Sequence, residues 1–211
     1  MTSPTVLFTL VAASSLAFVV VQRAVSRGWG YASKPIPMLL LILGLFACGE
    51  PREGTIRALI AAGLVASLAG DVFLVDEERC FLPGLASFLV AHLFYIASFL
   101  RGTELAAAAP YAAAYLLVGA VLCGLVWPRL GKLRVPVLAY ALVLSAMCTA
   151  AWARGRADGS VLAPIGATLF YLSDGVLAVN RFRWPFRAAK PLLFALYIAG
   201  QSLITASVWQ A

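Results

Sequence analysis

Two carboxylates interrupt long apolar runs of this chain: Asp71 within SLAGDVFLV and Asp174 within FYLSDGVLAV. An ionised carboxylate at the centre of a membrane helix costs about 2.5–3.5 kcal/mol, so a pair of them asks for partners and for a purpose. Acid–base chemistry and proton relay are the usual purposes. The single histidine, His92, falls near the middle of FLVAHLFYIASF, with Phe88 and Tyr95 one turn to either side on its helical face. Three readings of it are open: an imidazole hydrogen-bonded to a neighbouring helix, a member of an active site with the two aspartates, or a metal ligand beside them. The metal reading is the weakest, because one histidine cannot build a His-rich centre, and neither a metal nor a cofactor is expected. Cys48, Cys80, Cys123 and Cys148 stand singly in or beside apolar runs, without CxxC spacing, and read as small apolar residues.

The neighbours of these residues repeat at helical spacing. Ser67, Gly70, Asp71 and Leu74 share one face, and Thr168, Tyr171, Asp174 and Gly175 share another, with Ser173 beside the second carboxylate. Small residues next to each aspartate let another helix, or a substrate, come close. Near the C-terminus Lys190, Phe194, Tyr197, Gln201 and Thr205 form a third face, expected to look inward either as a polar packing seam or as the wall of a hydrophilic cavity. Lys34-Pro35 and Lys190-Pro191 each open an apolar run, and Gly70-Asp71 and Ser173-Asp174 each lie near the end of one. These echoes are consistent with duplicated halves.

The elements that must position such residues follow from composition. Of 211 residues, 63% are hydrophobic and 12% charged, with a mean hydropathy of +0.94. That is too little charge to coat a soluble globule, so the missing solvent is lipid. Apolar runs fall at about 4–22, 36–49, 55–75, 80–100, 107–127, 133–153, 160–180 and 189–209, separated by charged or Pro/Gly-containing breaks. The expected fold is therefore all-α, a polytopic membrane protein with a bundle of about eight transmembrane helices in a single domain, 1–211.

Loops after odd-numbered runs hold eleven basic residues: Arg23, Arg27, Lys34, Arg79, Arg129, Lys132, Arg134, Arg181, Arg183, Arg187 and Lys190. The opposite loops hold five, namely Arg52, Arg57, Arg101, Arg154 and Arg156. The positive-inside rule then puts both termini outside and both carboxylates nearer the cytoplasmic side of what is expected to be a bacterial inner membrane. The net charge of +7 is spread over loops, not gathered in a stripe with interleaved aromatics, so no nucleic-acid partner is expected. GxSxG, HExxH and Walker-type loops are absent, which leaves serine-hydrolase, zincin and P-loop chemistry without support.

Taken together, Lys34-Pro35, LAGDVFLV, FLPGLASFLVAHLFYIASF, GATLFYLSDGVLAVNRF and KPLLFALYIAGQSLI make the chain resemble the YhhN-like lysoplasmalogenase family of integral membrane proteins over nearly its whole length. The most specific blocks are Gly70-Asp71, the pattern from Gly84 through Phe88 and His92 to Tyr95, and Ser173-Asp174. The resemblance implies a membrane hydrolase that cleaves the 1-alkenyl (vinyl) ether bond of a lysophospholipid, releasing a fatty aldehyde and glycerophospho-ethanolamine or -choline. Such a reaction begins with proton transfer to carbon and ends with capture of an oxocarbenium-like cation by water. An aspartate pair suits it: one member stays protonated as general acid, while the other, ionised, stabilises the cation and orients water. On this reading Asp71 and Asp174 are catalytic. His92 and Tyr95 orient a carboxylate or hold the water, with Tyr171, Ser173, Tyr197 and Gln201 in support. Lys34 and Lys190 meet the head-group phosphate, or else anchor helix ends at the interface. The alternative is a small proton-coupled transporter using the same Asp and His residues. A structural protein, with both aspartates matched by interhelical hydrogen bonds, is a third reading.

Overall fold

A computed structural model of the chain describes residues 4–24, 34–49 and 53–209. Among these lie eight α-helices: α1 (Pro4–Ala24), α2 (Ile36–Ala47), α3 (Gly54–Phe73), α4 (Glu77–Phe99), α5 (Ala109–Leu130), α6 (Arg134–Asp158), α7 (Leu162–Phe182) and α8 (Ala189–Ala206). Short 3-10 turns at Leu74–Asp76, Leu105–Ala108, Gly131–Leu133 and Ser207–Trp209 join or end them, and no strand occurs among the described residues. Arg27 and Arg52, two of the charges counted for orientation, lie outside the described residues.

In hydrocarbon every backbone N–H and C=O must find a partner within the protein, which an α-helix does by itself. The Leu- and Ala-rich composition adds good intrinsic propensity. Four continuous stretches are long and apolar enough to cross a membrane: Gly54–Phe99 and Ala109–Asp158, each holding two helices, Leu162–Phe182 and Ala189–Trp209. The chain is an all-helical integral membrane protein. Its outer surface carries large apolar side chains, Leu43 and Leu117 at 66% and Val135 at 77% exposure among them, far more than water would tolerate in continuous patches. The second helix has 12 residues, about 18 Å of rise, well short of the roughly 30 Å hydrocarbon thickness.

Most helix boundaries fall within three residues of the apolar runs; at α4 and α6 the departure has a local reason. The fourth helix begins at Glu77, ahead of position 80, because Asp76 Oδ1 accepts a hydrogen bond from the Arg79 amide at 3.2 Å and caps the charged first turn. It then kinks at Cys80 (φ −112°, ψ 19°), three residues before Pro83. The sixth helix runs to Asp158, past the expected end at 153, carrying Arg154 and Arg156 inside it. Arg154 is buried, with Nη1 on Asp158 Oδ1 at 3.3 Å and Nη2 on the Ser98 carbonyl at 3.3 Å. The helix stops only at Gly159, whose φ of +67° a side chain would resist.

Two antiparallel pairs hold the bundle, α3 with α4 and α7 with α8, and α6 packs against α4, α5 and α7. Glycines set the closeness of both pairs. A Cβ on Gly63 would strike the Tyr95 ring, and one on Gly70 the Phe88 ring. Gly166 and Gly200 face each other backbone to backbone, each with the other's carbonyl oxygen 2.8 Å from where its Cβ would be. The core between the pairs is aromatic and aliphatic, with Leu64, Tyr95, Met147, Phe170 and Ile204 fully enclosed.

Candidate active site

The carboxylate of Asp71 sits on the last turn of α3 and is 4% exposed. Tyr197, on α8, donates its hydroxyl to Asp71 Oδ2 at 2.7 Å. The Lys34 ammonium stands 3.8 Å from Oδ1 and donates to the Asp71 backbone carbonyl at 3.3 Å, tying the approach to α2 onto the end of α3. One turn deeper on the same two helices, Gln201 Nε2 donates to Ser67 Oγ at 3.0 Å, and its Oε1 accepts from the Tyr95 hydroxyl at 2.8 Å. The α8 face read from spacing is thus turned inward from Phe194 to Thr205, and Lys190 at its start is exposed. Gln201 uses both ends of its amide in a fully enclosed place. Replacing it by Leu removes the acceptor of the Tyr95 hydroxyl and the donor to Ser67 Oγ, with an expected loss of about 1–3 kcal/mol, read as earlier thermal unfolding in detergent.

Asp174 lies on α7, and its partner comes from α6: the Tyr140 hydroxyl donates to Asp174 Oδ2 at 2.5 Å. Between the two carboxylates runs a chain of rings in edge-on contact. Tyr197 meets Phe170 at 5.3 Å between centroids, Phe170 meets His92 at 4.9 Å, and His92 meets Tyr140 at 5.2 Å. Phe88 closes the cluster against Phe170 and Tyr197 at 6.0 and 5.8 Å. Each aspartate is therefore anchored by a tyrosine whose ring is part of one aromatic block. His92, at the centre of that block, is fully buried, and neither of its ring nitrogens meets a donor or acceptor among the described residues. Among the described residues, no three His, Cys, Asp or Glu side chains converge as a metal site would require.

Two clefts approach this block. An apolar one of about 730 Å³ runs between α4, α5, α6 and α7, lined by residues such as Phe81, Leu85, Leu122 and Val126, with Asp174, Tyr140 and Tyr171 on its wall. A more polar one of about 660 Å³ is lined by Lys34, Glu77, Asn180, Lys190 and Phe194. Leu74 and Leu177 line both. These two leucines follow Asp71 and Asp174 by three residues, Leu177 one turn along α7 from its carboxylate and Leu74 at the start of the 3-10 turn that follows α3. Lys34 and Lys190, read separately from sequence, share this one cleft.

Other residues selected from sequence go elsewhere. Ser173 donates to the Leu193 carbonyl at 3.0 Å and Tyr171 to the Tyr115 carbonyl at 2.9 Å, so both fasten helices and neither touches a carboxylate. Tyr95 holds Gln201 and touches neither aspartate through its hydroxyl. Tyr140 was not selected. Its only signal in the sequence is a hydroxyl within the apolar run VLAYALVL, and its partner is 34 residues away.

Compared with known proteins, residues 29–208 match the YhhN family. The uncharacterized membrane protein YhhN of Escherichia coli O157:H7 is 30% identical over 176 residues, covering 82% of this chain and 85% of that protein. The lysoplasmalogenase TMEM86B of Homo sapiens is 36% identical over 179 residues, covering 82% and 73% respectively. A lysoplasmalogenase of Mycobacterium bovis is 33% identical over 177 residues, covering 80% and 66%. No solved structure matches the chain.

Proposed function

Since this chain belongs to the YhhN family, some of whose relatives are named lysoplasmalogenases, we propose that it is a membrane hydrolase of 1-alkenyl lysophospholipids. The observation that carries the reading is that Leu74 and Leu177, each three residues after an aspartate, line both the apolar and the polar cleft. A single-chain lipid has an apolar chain, a charged head group and, between them, the ether bond. With the chain in the apolar cleft and the phosphate near Lys34 and Lys190, the ether falls beside Leu74 and Leu177. Lysine is an ordinary partner for phosphate.

Asp174 is the proton donor in this scheme. It faces the apolar cleft, and Tyr140 occupies Oδ2, leaving Oδ1 for the transferable proton. The proton goes to the alkenyl carbon remote from oxygen, and positive charge develops on the ether carbon and oxygen. Asp71, with Lys34 as its counter-charge and Tyr197 holding Oδ2, is the ionised member that stabilises the cation across the ring cluster. Water adds to the ether carbon, and the hemiacetal so formed collapses to a fatty aldehyde and the free glycerol hydroxyl of the glycerophospho-ethanolamine or -choline. The proposed setting is a bacterial inner membrane, with both termini outside and the polar cleft open to the cytoplasmic leaflet.

The test is aldehyde release by the purified protein in detergent from a 1-alkenyl lysophospholipid against its 1-acyl counterpart. Aldehyde from the alkenyl lipid alone is expected; none from a folded protein sinks the reading. Lys190→Gln is expected to raise KM about tenfold with kcat little changed, the pattern of a contact made equally in ground and transition states. A fall in kcat at constant KM would remove Lys190 from the head-group site.

A further inference from the structure

We infer that His92 holds the water that captures the cation and passes its proton to the departing glycerol oxygen. The inference rests on the hydrolase reading above and adds a residue role to it. His92 is fully buried, yet both ring nitrogens lack a partner among the described residues. A neutral imidazole offers one donor and one acceptor, and enclosing both unsatisfied is unfavourable unless a small polar molecule meets them. Its surroundings otherwise explain nothing polar: the ring is clasped edge-on by Phe170 and Tyr140. A phenylalanine would fill the same place without the penalty.

The position fits water delivery. Tyr140, in contact with the imidazole, carries the hydrogen bond to Asp174 and lines the apolar cleft. Phe88, one turn from His92 along α4, lines that cleft too. The imidazole therefore packs against the cleft wall through Tyr140, the residue that holds the proton donor, and on this inference its water lies between the imidazole and the ether carbon.

The protons balance. Asp174 gives one to carbon. As the water oxygen bonds to the ether carbon, one of its protons passes to the imidazole. When the hemiacetal collapses, the bond from that carbon to the glycerol oxygen breaks and the glycerol oxygen takes the proton from the imidazolium. The remaining hydroxyl proton returns to Asp174 as the carbonyl forms. The sum is one water consumed per ether bond cleaved, with no redox partner.

A water-holding residue acts after the first proton transfer, which separates it from a residue that only packs the site. The full-length protein, with a 1-alkenyl lysophospholipid in D2O, is assayed for aldehyde and, by mass spectrometry, for deuterium in the recovered lipid. His92→Leu is expected to lower aldehyde release about 100-fold while the recovered lipid gains deuterium at the alkenyl carbon, because the cation forms and reverts; wild type returns unlabelled lipid. His92→Gln, which keeps hydrogen-bonding atoms, is expected to restore part of the release and lower the labelling, and it carries the same reading should the Leu variant fail to fold. Loss of release without labelling in a folded His92 variant, or undiminished release, overturns the inference. Asp174→Asn is expected to show neither aldehyde nor label; if it still releases aldehyde, the fault lies in the assignment of the acid and not in His92.

Discussion

Asp174→Asn is expected to purify as a folded protein and to release aldehyde at least about 1,000-fold more slowly than wild type, the range that removal of a general acid commands. The substitution is chosen to isolate the proton. Asparagine keeps the shape of the side chain, and its carbonyl oxygen still accepts from the Tyr140 hydroxyl that now binds Asp174 Oδ2. What disappears is a proton that can be given to carbon. Asp71→Asn preserves the Tyr197 contact in the same way but cancels the charge facing Lys34. Its expected loss is smaller, about 100-fold, because it removes stabilisation of the cation and not the acid. Aldehyde release and thermal unfolding measured on both variants check this. Asp174→Asn with more than a tenth of wild-type activity would end the acid assignment, and unfolding of both variants with no stable protein would favour a purely structural pair.

The second large effect concerns assembly. Gly166→Ala is expected to lower stability by about 3 kcal/mol, since the added Cβ meets the Gly200 carbonyl oxygen at 2.8 Å and the Ile204 amide nitrogen at 2.9 Å. Both obstacles are backbone, so no side-chain rotation relieves them and α7 must move off α8. Asp174 rides on α7, while the Tyr197 that holds Asp71 rides on α8. Displacement of the pair therefore disturbs both carboxylates at once, and activity should fall along with the unfolding temperature. Gly124→Ala is the control, because a Cβ there meets nothing within 4 Å. Equal stability of the two variants would show that the α7–α8 contact is looser than its geometry states.

The carboxylates and lysines were legible because each is out of place where it stands. A charge in an apolar run has few explanations, and Asp71, Asp174, Lys34 and Lys190 all lie on or beside the clefts. The helices were legible for the same reason of contrast, except where charge entered a helix: Arg154 and Arg156 resemble a loop until Asp158 and the Ser98 carbonyl are seen to receive Arg154. Residues chosen for nearness in sequence fared differently. Ser173 adjoins Asp174, but neighbours on a helix point about 100° apart, and its hydroxyl reaches α8 instead. Tyr140 was hidden by the opposite effect. A tyrosine among Val, Leu and Ala looks like ordinary packing, and only the arrival of α6 beside α7 turns its hydroxyl toward a carboxylate.

That Leu74 and Leu177 line both an apolar and a polar cleft also bears, on the proposed hydrolase reading, on what happens after bond cleavage. On that reading a substrate held across both clefts becomes two fragments of opposite solubility, and neither has to retrace the path of the other. In the proposed pose the aldehyde is already among chains, free to diffuse laterally into the bilayer, and the phosphodiester is already beside the lysines, free to depart along the membrane normal. Egress is thus sorted by partitioning, and added glycerophosphodiester should compete with the head group alone while added aldehyde occupies only the chain path.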